Sequence, residues 1–187
     1  MRVIAGSARG VSLTAPAGMQ TRPTADRVKE ALFSIIASRR DLVGARVLDI
    51  CAGTGSLGIE ALSRGAASCC FIEQDRPVLG ILAKNLARAG LDGRGELLAL
   101  DAVKGLNMLA RQGKTFDIVF IDPPYLSSLY APVAEALSSL SLLSDGGLLV
   151  AECSARMPLA ERYDTLVRID RRVYGDTALE FYLRETP

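Results

Sequence analysis

Val47-Leu48-Asp49-Ile50-Cys51-Ala52-Gly53-Thr54-Gly55-Ser56-Leu57-Gly58 decides the fold. An apolar run of strand length ends in glycines, and a helical stretch near 57–64 follows. Gly53-x-Gly55-x-x-Gly58 at such a strand-to-helix turn is a dinucleotide-type fingerprint: glycine lets the backbone turn tightly and approach a ligand closely. Glu73 comes 18 residues after Gly55, at the end of the next apolar run. There its carboxylate suits the hydroxyls of a ribose, so an adenosine-type ligand is expected. The plainer reading is a tight turn without a ligand.

Outward from this turn, strand-length apolar runs alternate with helical stretches. The runs are 46–51, 69–73, 96–100, 117–122 and 147–152; the helical stretches lie near 57–64, 76–89, 102–112 and 129–142. Continuous apolar strands separated by helices mean a parallel sheet covered on both faces. The chain closes on two strand-like runs, 165–173 and 178–184, joined by Tyr174-Gly175-Asp176-Thr177, which adds an antiparallel hairpin. Before the sheet, runs 2–5 and 11–14 read as a small hairpin. Thr24 reads as an N-cap for an amphipathic helix over 25–39, with Val28, Leu32, Ile35 and Ile36 on one face. The expectation is an α/β protein with residues 1–40 as an N-terminal hairpin and helix and residues 41–187 as the main domain.

The 187 residues contain no histidine and no tryptophan. Ser-His-Asp and Cys-His catalysis and His-ligated zinc are thereby excluded. Any chemistry must use carboxylates, backbone dipoles, Lys, Tyr, Cys or a borrowed cofactor. Cys51, Cys69, Cys70 and Cys153 form no C-x-x-C pair and lie in apolar runs, as reduced buried thiols do; no metal is expected. No apolar run reaches a membrane span and no signal peptide is evident, so a cytoplasmic protein is expected. The net charge of +1 hides a division. Residues 1–48 carry eight basic and three acidic residues, and the remainder is net negative. A basic leading segment on an acidic body suits a polyanion partner, against the alternative of an ordinary solvated surface.

Asp49 lies inside the first strand. A carboxylate there would oppose a pyrophosphate but suits a ligand carrying sulfonium and ammonium charges; its other reading is a cap on the glycine turn. Asp101-Ala102 could meet an adenine's exocyclic amine, or Asp101 could simply cap the next helix. Asp122-Pro123-Pro124-Tyr125 ends the fourth strand. Ligands of open α/β sheets bind beyond the carboxyl ends of the strands. Two prolines remove two N–H donors and leave carbonyls as acceptors. Asp122 adds a carboxylate and Tyr125 an aromatic face, making a clamp for a planar group with an exocyclic NH2.

The ordered set Asp49, Gly53-Thr54-Gly55, Glu73, Asp101 and Asp122-Pro123-Pro124-Tyr125 resembles S-adenosylmethionine-dependent amino-methyltransferases. Arg2-Val3-Ile4-Ala5-Gly6, Arg9-Gly10, Arg22-Pro23-Thr24, Asp26-Arg27-Val28-Lys29-Glu30-Ala31-Leu32-Phe33 and Ala52 to Ala66 extend the likeness nearly end to end. In these stretches the chain resembles the RsmD family of bacterial 16S ribosomal RNA guanine-N2 methyltransferases. That resemblance implies a Rossmann-like class I methyltransferase fold with a mostly parallel seven-stranded sheet. It implies a cofactor site of Asp49, Ala52, Gly53, Thr54, Gly55, Glu73, Gln74, Asp101, Ala102 and Arg22. The catalytic set would be Asp122, Pro123, Pro124 and Tyr125. Arg2, Arg9, Arg22, Thr24, Arg27 and Lys29 would face 16S rRNA, met within a small-subunit assembly intermediate by a monomeric enzyme. The hairpin has fewer basic and aromatic residues than relatives often carry, and Leu100 stands where a glycine is common. Competing readings are adenine-N6 methylation of RNA or DNA, a dehydrogenase, and a non-catalytic RNA-binding assembly factor. The length leaves little room for a separate domain that reads DNA sequence, and a dehydrogenase leaves Asp122-Pro123-Pro124-Tyr125 unexplained.

Overall fold

A computed structural model describes residues 1–16, 23–123 and 128–185, with side chains described from residue 26 in the first helix. The elements are α1 (Pro23–Arg39), β1 (Arg46–Ile50), α2 (Ser56–Ser63), β2 (Ser68–Ile72), α3 (Arg76–Arg88), β3 (Gly95–Leu98), α4 (Ala102–Arg111), β4 (Phe116–Ile121), α5 (Tyr130–Ser139), β5 (Leu143–Ser154), β6 (Arg162–Tyr163), β7 (Leu166–Tyr174) and β8 (Thr177–Arg184). The strands form one sheet in the order β3-β2-β1-β4-β5-β8-β7-β6. β1 to β5 pair in parallel, and β5 to β8 continue antiparallel. The expected α/β class and C-terminal hairpin are therefore present. The sheet has eight strands rather than seven, because the two-residue β6 pairs with β7 and is too short to leave an apolar signature.

The two sheet faces bury different helices. Phe71, Ile118, Phe120, Leu148, Val150 and Phe181 pack with the N-terminal hairpin, α1, α2 and α3. Leu48, Ile50, Val119, Ile121, Leu149 and Tyr182 pack with α4 and α5. This alternation of neighbours along each strand is the period-two geometry of a sheet buried on both sides. Gly58 permits α2 to lie close: a Cβ there would stand 2.2 Å from a Phe71 ring carbon. No helix among the described residues is long and apolar enough to cross a membrane. All four cysteines are free thiols, with Cys69, Cys70 and Cys153 buried.

The N-terminal hairpin is minimal, a single bridge between Arg2 and Ser12. Val3 N–H donates to Val11 O and Gly10 N–H to Val3 O, both at 2.9 Å. Its turn rests on α2: Ser7 N–H donates to Ser63 O at 2.8 Å, and Gly6, at φ +85°, has no room for a side chain against Ser63. The first helix begins at Pro23, so Thr24 lies within it and is not the N-cap. Proline suits a first helical turn, where its missing N–H would have no intrahelical acceptor.

Candidate active site

The sheet brings the ends of β1, β2 and β4 together at one edge. Cys51, directly after β1, has φ 59°, a left-handed conformation that costs an ordinary residue about 1 kcal/mol or more. This turn ends β1 one residue earlier than the apolar run suggested. Gly53 and Gly55 follow at φ 55° and 84°, where glycine is unstrained. Nothing lies within 4 Å of where a Gly53 Cβ would stand, so the loop opens onto free space.

Glu73 follows β2 directly and braces that loop. Its carboxylate accepts from Gly53 N–H and Asp75 N–H, each at 2.9 Å. A carboxylate has about four lone-pair sites, so acceptor capacity remains for ribose hydroxyls. Gln74 is exposed beside it. Asp49 is 2% exposed and accepts from Gly58 N–H at 2.9 Å, which is the capping reading of this residue. Burial, opposed by the Gly58 bond and assisted by nearby Glu73, raises its pKa to about 7. Ala52 and Thr54 are buried in the loop. Burial first, then Glu73, Asp49 and Asp122, push the Cys51 thiol up to about 12, which leaves it protonated and unreactive.

Asp101 is the N-cap of α4, accepting from Lys104 N–H at 3.0 Å, and it pairs with Lys104 Nζ at 3.0 Å. The Lys104 backbone bond holds its pKa below the usual value. β3 ends at Leu98, so Asp101 lies beyond the strand rather than closing it, with Ala102 buried next to it.

Asp122 lies one residue past β4, with its N–H 3.4 Å from Ile50 O. It is solvent-exposed on one side, while Pro123 is buried. The protein packed around its inner side, then Glu152, then Asp49, hold its carboxyl well above the usual range. Pro124, Tyr125 and Arg22 lie outside the described residues.

The expected RNA-facing set divides. Arg9 and Arg27 are exposed. Arg2 is 66% exposed and lies 3.5 Å from Asp26. Lys29 corrects the sequence expectation: it is 5% exposed, its Nζ donates to Arg2 O at 2.7 Å and Ser56 Oγ at 3.3 Å, and it lies 3.5 Å from Glu60. An amphipathic pattern does not distinguish a basic residue on the solvent face from one turned inward onto a buried carboxylate. Burial lowers the Lys29 pKa, opposed by Glu60 and Asp26.

Sequence reasoning missed the residues that hold this edge in place. Glu60, fully buried, accepts from Ile4 N–H at 2.7 Å, Ala5 N–H at 3.0 Å and Arg64 Nε at 2.7 Å. Asn85, also fully buried, donates to Thr14 O and Thr54 O at 3.0 Å and accepts from Thr14 N–H at 2.8 Å. It thereby joins hairpin, α3 and glycine loop. The available signal was a polar side chain on an apolar stripe: Asn85 stands between Leu82 and Leu86, which are both buried. A separate cleft of about 550 Å³ lies at the opposite ends of the parallel strands, lined by Arg46, Ser68, Glu96, Lys114 and Phe116. Of the cations lining it, Arg46 pairs with Asp117 and Lys114 with Glu96, while Arg94 donates to Ala66 O at 3.0 Å, and the cleft is remote from the glycine loop.

A family model described as Conserved hypothetical protein 95 matches residues 1–183. The Ribosomal RNA small subunit methyltransferase D of Escherichia coli (strain K12) is 37% identical over 187 residues, spanning 99% of this chain and 90% of the relative. That of Haemophilus influenzae is 35% identical over 160 residues, spanning 85% and 81%. Among solved structures, a hypothetical protein of Thermus thermophilus superposes with a TM-score of 0.83 at 33% identity, covering 100% of this chain and 99% of that one.

Proposed function

The chain belongs to the RsmD family of ribosomal RNA methyltransferases, and from that premise we propose that it methylates the exocyclic N2 of a guanine in small-subunit (16S) ribosomal RNA. The observation that carries the reading is the shared edge of the glycine loop, Glu73 and Asp122. The chain fits S-adenosylmethionine there: the loop is open at Gly53, Glu73 offers acceptors to a ribose, and Asp49 is a buried acid whose ionised form a cationic ligand favours. Ala52, Thr54, Gly55, Gln74, Asp101 and Ala102 complete the cofactor set, with Arg22. When bound, the cofactor supplies an electrophilic methyl group on a sulfonium.

Guanine's amine is a weak nucleophile because its lone pair is delocalised into the ring. Asp122 and the Pro123 carbonyl accept its two N–H bonds, return electron density to nitrogen and aim the lone pair. Tyr125 stacks on the ring and Pro124 stiffens the clamp. Asp122, whose raised pKa suits it to hold a proton, takes the one released. Residues 1–40 form the RNA-facing extension, with Arg2, Arg9, Arg22, Thr24 and Arg27 toward the phosphates. A monomer acting in the cytoplasm on a small-subunit assembly intermediate fits this arrangement. Labelled-methyl transfer to small subunits lacking the modification, followed by nucleoside identification, tests it. N2-methylguanosine is expected, and N6-methyladenosine would replace this reading with its main rival.

A further inference from the structure

Three of the five residues from Cys51 to Gly55 are left-handed, and the loop they shape is tied to fixed groups along its length. Gly53 N–H donates to Glu73 at 2.9 Å and Gly55 N–H to Ala52 O at 2.8 Å. Thr54 O accepts from Asn85 Nδ2 at 3.0 Å, and Ser56 Oγ accepts from Lys29 Nζ at 3.3 Å. The Asn85 tie is of a different kind, because it reaches the loop from α3 and is fully buried. One turn earlier on the same helix face, Leu82 seats the loop: a Cβ on Gly55 would stand 3.0 Å from its Cγ.

The Asn85 amide is oriented as well as placed. Its oxygen accepts from Thr14 N–H at 2.8 Å, which settles the end of the group that faces each partner. The nitrogen has two N–H bonds to give, and gives them to Thr14 O and Thr54 O. Holding Thr54 O fixes the planar peptide between Thr54 and Gly55, at the centre of the loop.

We propose that Asn85 is a positioning residue for S-adenosylmethionine: acting through the Thr54 carbonyl, it presets the glycine loop in its binding shape and so sets the cofactor's affinity. The inference rests on the reading of the glycine loop as the cofactor's seat. A loop already ordered gives up little conformational freedom when its ligand arrives, so the gain appears in binding rather than in the methyl-transfer step.

Calorimetry with S-adenosylmethionine compares wild type, Asn85→Ala, Glu73→Ala and Leu166→Ala. Asn85→Ala is expected to weaken binding by about 10-fold or more, as loss of a preset geometry does. Its kcat at saturating cofactor, read by methyl transfer to small subunits lacking the modification, should fall by less than about 3-fold. Leu166, fully buried in β7 on the other sheet face, controls for stability: Leu166→Ala should lower Tm and leave cofactor affinity unchanged. Equal weakening in Leu166→Ala and Asn85→Ala reduces the effect to general stability and overturns the proposal. Wild-type affinity in Asn85→Ala, with Glu73→Ala weakened, overturns it and leaves the cofactor site standing. Wild-type affinity in both of those variants removes the cofactor from the loop, and the proposal with it. Hydrogen exchange needs no variant: the Gly53 and Gly55 amides of the wild-type protein should be protected without cofactor. Exchange at the unprotected rate until cofactor is added would show that the loop is not preset.

Discussion

Asp49 and Asp122 are both carboxyls with raised pKa, but their surroundings give them different tasks. Asp122 reaches solvent at the strand end, where a base can meet it. Asp122→Ala is expected to lower methyl transfer by at least about 100-fold, the usual scale for a proton acceptor or charge stabiliser, with cofactor affinity unchanged. Single-turnover transfer and calorimetry separate the two quantities, and near-normal turnover would remove Asp122 from the chemistry. Asp49 is sealed under the glycine turn, with a pKa of about 7 against an unfolded value near 4. Between those limits the folded protein holds a proton that the unfolded chain has lost. This group's contribution to stability therefore falls as pH rises from about 4 to 7, then levels off. Between pH 5 and pH 8 the loss should be on the order of 2 kcal/mol, and Asp49→Asn should remove it. Urea unfolding at the two pH values gives the comparison; equal pH slopes in the two proteins would show that Asp49 is ionised throughout.

The sheet elements were legible because β1, β2, β4 and β5 are apolar runs buried on both faces, a pattern few alternatives share. The glycine turn, Asp49 within β1, and the positions of Glu73 and Asp122 just past strand ends were legible for the same reason. Element ends were less so, since they depend on backbone details such as the left-handed Cys51 and Ser141, the latter stopping α5 before β5 begins. Buried polar partners were the hardest to read. Glu60 and Lys29 look like solvent residues in sequence, yet together they tie the hairpin, α1 and α2 into one unit. Removing the carboxylate leaves a buried ammonium without its counter-charge. Glu60→Gln should therefore cost about 3 kcal/mol or more in urea unfolding, as broken buried pairs do. Adding Lys29→Met should recover part of that loss, because the orphaned charge goes too. Hydrogen exchange at Ile4 and Ala5 should quicken before global unfolding. If those amides stay protected in Glu60→Gln, the hairpin is held by its apolar contacts alone.

At the scale of the molecule, the basic leading segment is smaller in effect than its formal count. Arg39 pairs with Asp170 at 2.6 Å, Arg40 and Arg46 with Asp117, and Lys29 with Glu60. These cations serve the fold. Among the described residues of this segment, Arg9 and Arg27 remain exposed without an ion pair, and Arg2 is only loosely held by Asp26. They belong to the hairpin and α1, which pack on the sheet face that carries Phe120, two residues before Asp122. A polyanion drawn to those arginines is thus delivered to the side of the molecule where the amine clamp opens. Each phosphate contact releases bound counterions, so binding weakens as salt rises. Arg9→Ala and Arg27→Ala should each reduce the slope of log affinity against log salt by roughly one, with little change in cofactor affinity. Fluorescence anisotropy with labelled small-subunit RNA over a salt series measures that slope. Lys29→Met provides the contrast, since a buried lysine has no phosphate to release: it should lower stability yet leave the slope intact. If Lys29→Met flattened the slope while Arg9→Ala did not, the RNA would have to approach from a different face.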